Sequence, residues 1–226
     1  MVSGRPAAMP IMPMTSRPSS EPAMPSQACA GIYLASASPR RRELLMQIGV
    51  AHQVLQVPAP PGEDEPRLPG EAPADYVRRT AMEKAERGVA WMRGQGLPAL
   101  PLLAADTCVM QGDDVLGKPA GREDALRILR RLAGTRHEVH TAVVLAHGGR
   151  RDMRVSASTV ELRALSDEEI LRYCDSGEPY GKAGAYGIQG LAGSFVARLE
   201  GSYTGVMGLP LYETAQLLAL AGIRRP

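Results

Sequence analysis

The stretch from Ile32 to Leu45, Ile-Tyr-Leu-Ala-Ser-Ala-Ser-Pro-Arg-Arg-Arg-Glu-Leu-Leu, limits the possible folds more than any other part of the chain. A short apolar run that breaks into small hydroxyl residues, then Pro and a helical pattern, is a strand passing through a tight turn into a helix. Ser38 takes the N-cap and Pro39 the first helical position, where proline's missing N–H costs nothing. The unbonded N–H groups of that turn and the positive end of the helix dipole lie beside Arg40, Arg41 and Arg42, which suits an anion such as phosphate. A capped helix with solvated arginines fits the same residues equally well, so the chemistry has to be decided elsewhere.

The rest of the chain alternates strand and helix patterns. Residues 1–30 carry many Pro and Met but only Arg5, Arg17 and Glu21 as charges, and no aromatic residue. They predict a disordered extension or a misplaced start ahead of one domain spanning 31–226. A secretory signal is not expected without a continuous apolar core, and a transit peptide is the remaining alternative. Gln53–Val57 predicts a second strand, and Pro58–Pro69 a proline-rich loop with Glu63, Asp64 and Glu65. Pro73 starts a long helix that reaches Gly94 and carries Lys84 one turn beyond Thr80. Leu100–Ala105 is a buried strand expected to stop at Asp106-Thr107. Val109–Leu116 predicts a hairpin turning at Gly112-Asp113-Asp114 and delivering Gly117-Lys118-Pro119.

Beyond a helix over Arg122–Ala133, strands over Glu138–Ala146 and Met153–Leu162 are joined at His147-Gly148-Gly149. Ser166 and Glu169 form a capping box for a helix to Cys174. Lys182-Ala-Gly-Ala-Tyr-Gly-Ile-Gln-Gly190 is too rich in small residues for a packed helix and predicts close backbone approach. Phe195–Leu199 reads as a strand, Ser202–Leu209 as a Gly-punctuated loop, and Pro210–Leu220 as a final helix.

Composition excludes several classes. A net charge of +2 is too small for a concentrated basic field, which argues against nucleic acid as partner. Cys29, Cys108 and Cys174 match no metal-ligand spacing and fit a reducing, cytoplasmic setting, and no apolar stretch is long enough to span a membrane. Of 26 basic residues only Lys84, Lys118 and Lys182 are lysine, so a compact ammonium at those positions is informative. Asp106, placed at a strand end, could hold a cation or activate water, and its plain alternative is to cap the following turn. Lys118 does not belong to a P-loop, because Gly-x-x-x-x-Gly-Lys-Ser/Thr is absent. His52, His137, His140 and His147 form no metal pattern, and no Gly-x-Ser-x-Gly nucleophile elbow occurs.

Four stretches taken together resemble the Maf family of nucleoside triphosphate pyrophosphatases. They are Leu34–Arg41; Ala105-Asp106-Thr107 with Gly117-Lys118-Pro119; Lys182–Gly190; and Gly208-Leu209-Pro210. The resemblance covers about residues 31–222 and implies an elongated α/β fold, Maf/inosine-triphosphatase-like, whose mixed sheet is flanked by helices in two lobes around a central cleft. It implies a homodimer and a divalent cation, Mg²⁺ or Mn²⁺. Carried over by position, Asp106 is the proton acceptor, Arg40, Arg41, Lys84 and Lys118 meet the phosphates, and Glu65 with Asp106 serves the metal. Arg40, Thr107 and Gln189 match the positions linked to specificity.

The Ala-Tyr-Gly-Ile-Gln-Gly form resembles the subgroup acting on dTTP and UTP, and Gln189 offers both a donor and an acceptor to a pyrimidine edge. Two departures stand out. Gly181 occupies the place where the family pattern has Asp, and the Pro58–Pro61 loop is lengthened. The expected activity is release of pyrophosphate from dTTP, UTP and modified pyrimidine nucleotides. The alternative is a nucleotide-binding regulator of cell division acting by protein contact; the intact Asp106, Lys84 and Lys118 set favours the enzyme, because a mere binder would not need the base.

Overall fold

The computed structural model describes Met1, residues 31–59 and residues 66–223. The readings of residues 2–30 and of Glu63, Asp64 and Glu65 lie outside the described residues. Strand β1 (Ile32–Leu34) is buried at every position and turns at Ala35–Ser38 into helix α1 (Pro39–Gln47). Ser38 occupies the N-cap and Pro39 follows it, yet the Ser38 hydroxyl makes no capping bond.

The chain continues through β2 (His52–Val54), α2 (Pro73–Gly94), β3 (Leu102–Gln111), β4 (Asp114–Leu116), α3 (Arg122–Leu132), β5 (Arg136–His147) and β6 (Arg150–Leu162). It ends with α4 (Asp167–Asp175), β7 (Val196–Glu200), α5 (Tyr203–Met207) and α6 (Leu211–Leu220). Among the described residues, seven strands form one mixed sheet in the order β2-β1-β3-β5-β6-β7, with β4 paired to β3. β2, β1 and β3 are mutually parallel, and the remaining pairs are antiparallel.

Three expectations are corrected. β2 is shorter and starts earlier than Gln53–Val57, because among the described residues it pairs with the three-residue β1 alone, which leaves the sheet at Ala35. β3 does not stop at Asp106-Thr107. It runs straight through both, since β5 pairs with it from Leu102 to Met110 and satisfies their backbone groups. Ser202–Leu209 is not a loop, because Tyr203–Met207 is a short helix. The Ser202 hydroxyl accepts from Gly205 N at 3.0 Å, and left-handed Gly208 closes the other end.

The core divides along the long strands. Val77, Ala81 and Ala85 of α2 cover one sheet face against Tyr33, Leu102, Ala104 and Ala142. Leu44, Leu45, Leu217 and Leu218, from α1 and α6, cover the opposite face against Ile32, Leu103, Ala105 and Val143. At the other end of the same strands, α3 and α4 pack against Val109, Val139 and Val160. Residues 106–107 lie where these packings meet.

Candidate active site

Leu103 is the last β3 residue paired with β1, and Val109 the first paired with β4. Between them that edge of β3 has no strand beside it among the described residues, while the other edge stays paired with β5. This gap is a consequence of the turn at Ala35–Ser38, which takes the chain out of the sheet. A cleft of about 920 Å³ opens here, in the size range of small-molecule sites. Arg40, Arg41, Lys84, Asp106, Thr107, Lys118 and Gln189 all line it. Arg42 is exposed and lies outside it, and Glu65 is outside the described residues.

Asp106 and Thr107 are adjacent on a strand and so address opposite sides of the sheet. Asp106 turns toward α2, where Thr80 Oγ1 donates to its Oδ2 at 2.6 Å and Lys84 Nζ donates to its Oδ1 at 2.7 Å. Thr80 and Lys84 share a helix face because they are four residues apart, and Arg87, three further, also lines the cleft. Burial pushes the Asp106 carboxyl up, but the Lys84 ammonium, with help from Thr80 and Arg41, outweighs it and holds the group below its ordinary value. Asp106 is therefore an anion at neutral pH.

Thr107 turns toward α1 and α5. Its hydroxyl receives Arg41 Nη2 at 3.2 Å and lies 3.0 Å from Thr141 Oγ1. Arg41 also donates through Nε to Gly208 O at 2.7 Å and through Nη1 to Ser36 Oγ at 3.1 Å, which fixes its guanidinium across the mouth of the turn. Arg40 donates to Met207 O at 3.4 Å, and burial, opposed by Glu43, lowers its basicity.

The Lys182–Gly190 stretch forms the facing wall. Gly117 O accepts from Gly184 N at 3.1 Å, which ties the Lys118 loop to it. Glu178, which the sequence reading did not single out, holds the base of this stretch, accepting from Tyr173 Oη at 2.9 Å and Leu191 N at 2.8 Å. Lys182 Nζ donates to Glu178 O, and burial together with nearby Arg40 pulls its pKa down. Tyr186 donates or accepts at His137 Nε2, 2.8 Å away. Gly181 has φ +72°, a left-handed backbone that glycine adopts without strain and that Asp also tolerates better than most residues.

Lys182, Glu178 and Arg87 were missed as site residues. The scarcity of lysine marked Lys182, whereas nothing in the sequence distinguishes Glu178 or Arg87 from solvated charges. Asp106 offers one carboxylate to a cation, and no cluster of three His, Cys, Asp or Glu among the described residues could hold a metal ion. Mg²⁺ commonly binds through one or two carboxylates plus substrate phosphates, so this donor set fits a cation brought in by a polyphosphate.

Comparison with known proteins agrees with this architecture. A family profile described as Maf-like protein matches residues 31–221. The dTTP/UTP pyrophosphatase of Bordetella parapertussis is 70% identical over 195 residues, 86% of this chain and 94% of that protein. The Bordetella avium protein of the same name is 67% identical over 198 residues, covering 88% and 98% of the two chains. That of Cupriavidus metallidurans is 51% identical over 196 residues, covering 85% and 97%. With the profile spanning the whole sheet and every wall of the cleft, this chain belongs to the Maf family.

Proposed function

We propose that this protein is a nucleoside triphosphate pyrophosphatase that hydrolyses dTTP and UTP to the nucleoside monophosphate and pyrophosphate. The observation that carries the reading is the Asp106 carboxyl, buried in the gap of the sheet and held by Lys84 and Thr80. The names of the homologues support the choice of bases. A protein that only bound nucleotide would gain nothing from burying a carboxylate beside a triply to quadruply charged anion, so the enzyme is favoured over the regulator.

The water oxygen forms a bond to the α phosphorus, and the bond from that phosphorus to the bridging oxygen breaks, releasing pyrophosphate. Asp106 takes the water's proton. In the free protein Lys84 keeps Asp106 a weak base. As the triphosphate enters, its charge draws on the Lys84 ammonium, loosens its hold on Oδ1 and raises the basicity of Asp106 when the water is in place. Arg40, Arg41, Lys118 and Lys182 supply fixed positive charge around the phosphates, so catalysis is mainly positioning and neutralisation.

A divalent cation, held by Asp106 and in this reading by Glu65, would supply further neutralisation of the phosphate oxygens. Cys108 and Cys174 are free and buried, which supports a cytoplasmic setting. No helix among the described residues is long and apolar enough to cross a membrane. The homodimer remains part of the proposal on family resemblance alone.

The deciding test is product analysis over canonical and modified nucleoside triphosphates with Mg²⁺ or Mn²⁺. Pyrophosphate from dTTP and UTP is expected. Orthophosphate as the first product would overturn the assigned bond.

A further inference from the structure

Thr141 is fully buried on β5 and does not line the cleft, yet it is bonded to a residue that does. Its Oγ1 donates to Gly205 O at 2.8 Å. A carbonyl oxygen has no proton to give, so the single hydroxyl proton of Thr141 is committed to that bond. In the 3.0 Å contact between Thr141 Oγ1 and Thr107 Oγ1, Thr107 must then be the donor. Thr107 has spent its own proton, and Arg41 Nη2 at 3.2 Å takes one of its lone pairs. What remains for a ligand in the cleft is a lone pair and nothing else.

The chain of bonds is locked at both ends. Gly205 belongs to α5, whose cap at Ser202 and left-handed Gly208 hold the carbonyl in place. Gly208 lies against Thr107, since a Cβ there would come within 3.4 Å of Thr107 Oγ1 and would have to adopt φ +111°. The bare backbone keeps the hydroxyl uncovered.

We propose that Thr141 is a positioning residue for base selection: it fixes Thr107 as an acceptor, which matches the imide N3–H of thymine and uracil and repels the N3 lone pair of cytosine. The inference rests on the dTTP/UTP reading above and deepens it. Specificity of this kind is strong because a site built around one hydrogen-bond polarity leaves buried groups unpaired with the wrong base. Gln189 can present either polarity to the same ring by rotating its amide, whereas Thr107 cannot change until Thr141 does.

The test is kcat/KM for dTTP, UTP and dCTP in the wild type, Thr141→Val and Thr141→Ser. Valine keeps the shape of threonine and removes the hydroxyl, which frees Thr107 to donate. The dTTP-to-dCTP preference should fall about tenfold in Thr141→Val through KM rather than kcat, with the gain in dCTP visible in absolute terms. Thr141→Ser should restore the wild-type preference. Should the valine variant fail to fold, Thr141→Ala makes the same comparison. A preference unchanged in Val or Ala, or all three nucleotides weakened in equal proportion, overturns the inference. Failure of the wild type to hydrolyse dTTP or UTP would instead overturn the functional reading, so the two failures are distinct.

Discussion

Lys84 Nζ and Asp106 Oδ1 stand 2.7 Å apart, one on helix α2 and the other in the middle of the central strand β3. Both side chains are largely withdrawn from water, 18% exposed for Lys84 and 7% for Asp106. At this depth the ion pair controls the charge of the proposed base, and removing either partner strands the other in a poor solvent.

Asp106→Asn should keep nucleotide affinity within a small factor and lose roughly 10²- to 10⁴-fold in kcat, the usual worth of a general base. Steady-state kinetics with a separate binding measurement checks this. A near-normal kcat would exclude Asp106 as the proton acceptor.

Replacing Lys84 by Met should shift the acid limb of the kcat/KM profile to higher pH, because the carboxyl loses the cation that holds it below its ordinary value. KM for the triphosphate should rise in the same variant. For stability the sign is the usual one for a depressed carboxylate: the pair stabilises above the unfolded value of about 3.9 and is lost as pH falls through the folded one. A profile whose acid limb does not move would show that Lys84 does not govern the base.

His137, 3% exposed, is pushed down to about 4 by burial, against 6.5 for the free group. A depressed histidine is neutral in the fold, so its contribution is whole above the unfolded value and drains away as pH falls toward 4. By pH 5 the loss is about 2 kcal/mol. Denaturant melts at pH 7 and pH 5 should show this extra loss in the wild type and not in His137→Gln. Equal slopes in the two proteins would contradict it.

Ser166→Ala tests the cap of helix α4, none of whose residues lines the cleft. Ser166 Oγ accepts from Glu169 N at 3.2 Å, and Glu169 Oε2 accepts from Ser166 N at 2.9 Å. Losing the box should cost about 1 kcal/mol of stability and leave kcat and KM unchanged. Altered kinetics would show that loosening the cap of α4 reaches the cleft through Tyr173, which bonds Glu178 at the base of the Lys182–Gly190 wall.

Gln189→Ala should alter the ranking of dTTP, UTP and dCTP more than the overall rate, since this exposed side chain lines the cleft without bonding to Asp106 or Lys84. A uniform drop for every base would remove Gln189 from specificity.

Much of the scaffold was legible because local chemistry and tertiary context agree there. Pro39, Pro73, the Ser166 box and the His147-Gly148-Gly149 turn are punctuation that acts within a few residues, and the elements they bound lie close to where the sequence places them. The errors have separate causes. Asp106-Thr107 reads as a strand end because polar residues interrupt an apolar run, but a strand end is set by backbone partners, and β5 continues past both residues. The helix Tyr203–Met207 is too short for its period to register, although its Ser cap and Gly stop are both in the sequence.

By itself the sequence determined the order of the longer elements and the strand-turn-helix that begins at Ile32, because each follows from short-range preferences. Only the tertiary structure decided that β1 leaves the sheet at Ala35 and β4 joins at Val109, so that a gap opens beside Asp106 and Thr107. It also decided the direction of the hydroxyl proton on Thr107, through Thr141, which is 34 residues away in the chain, and Gly205. A hydrogen bond's polarity depends on what each partner has already given away, and that is settled only when distant segments meet.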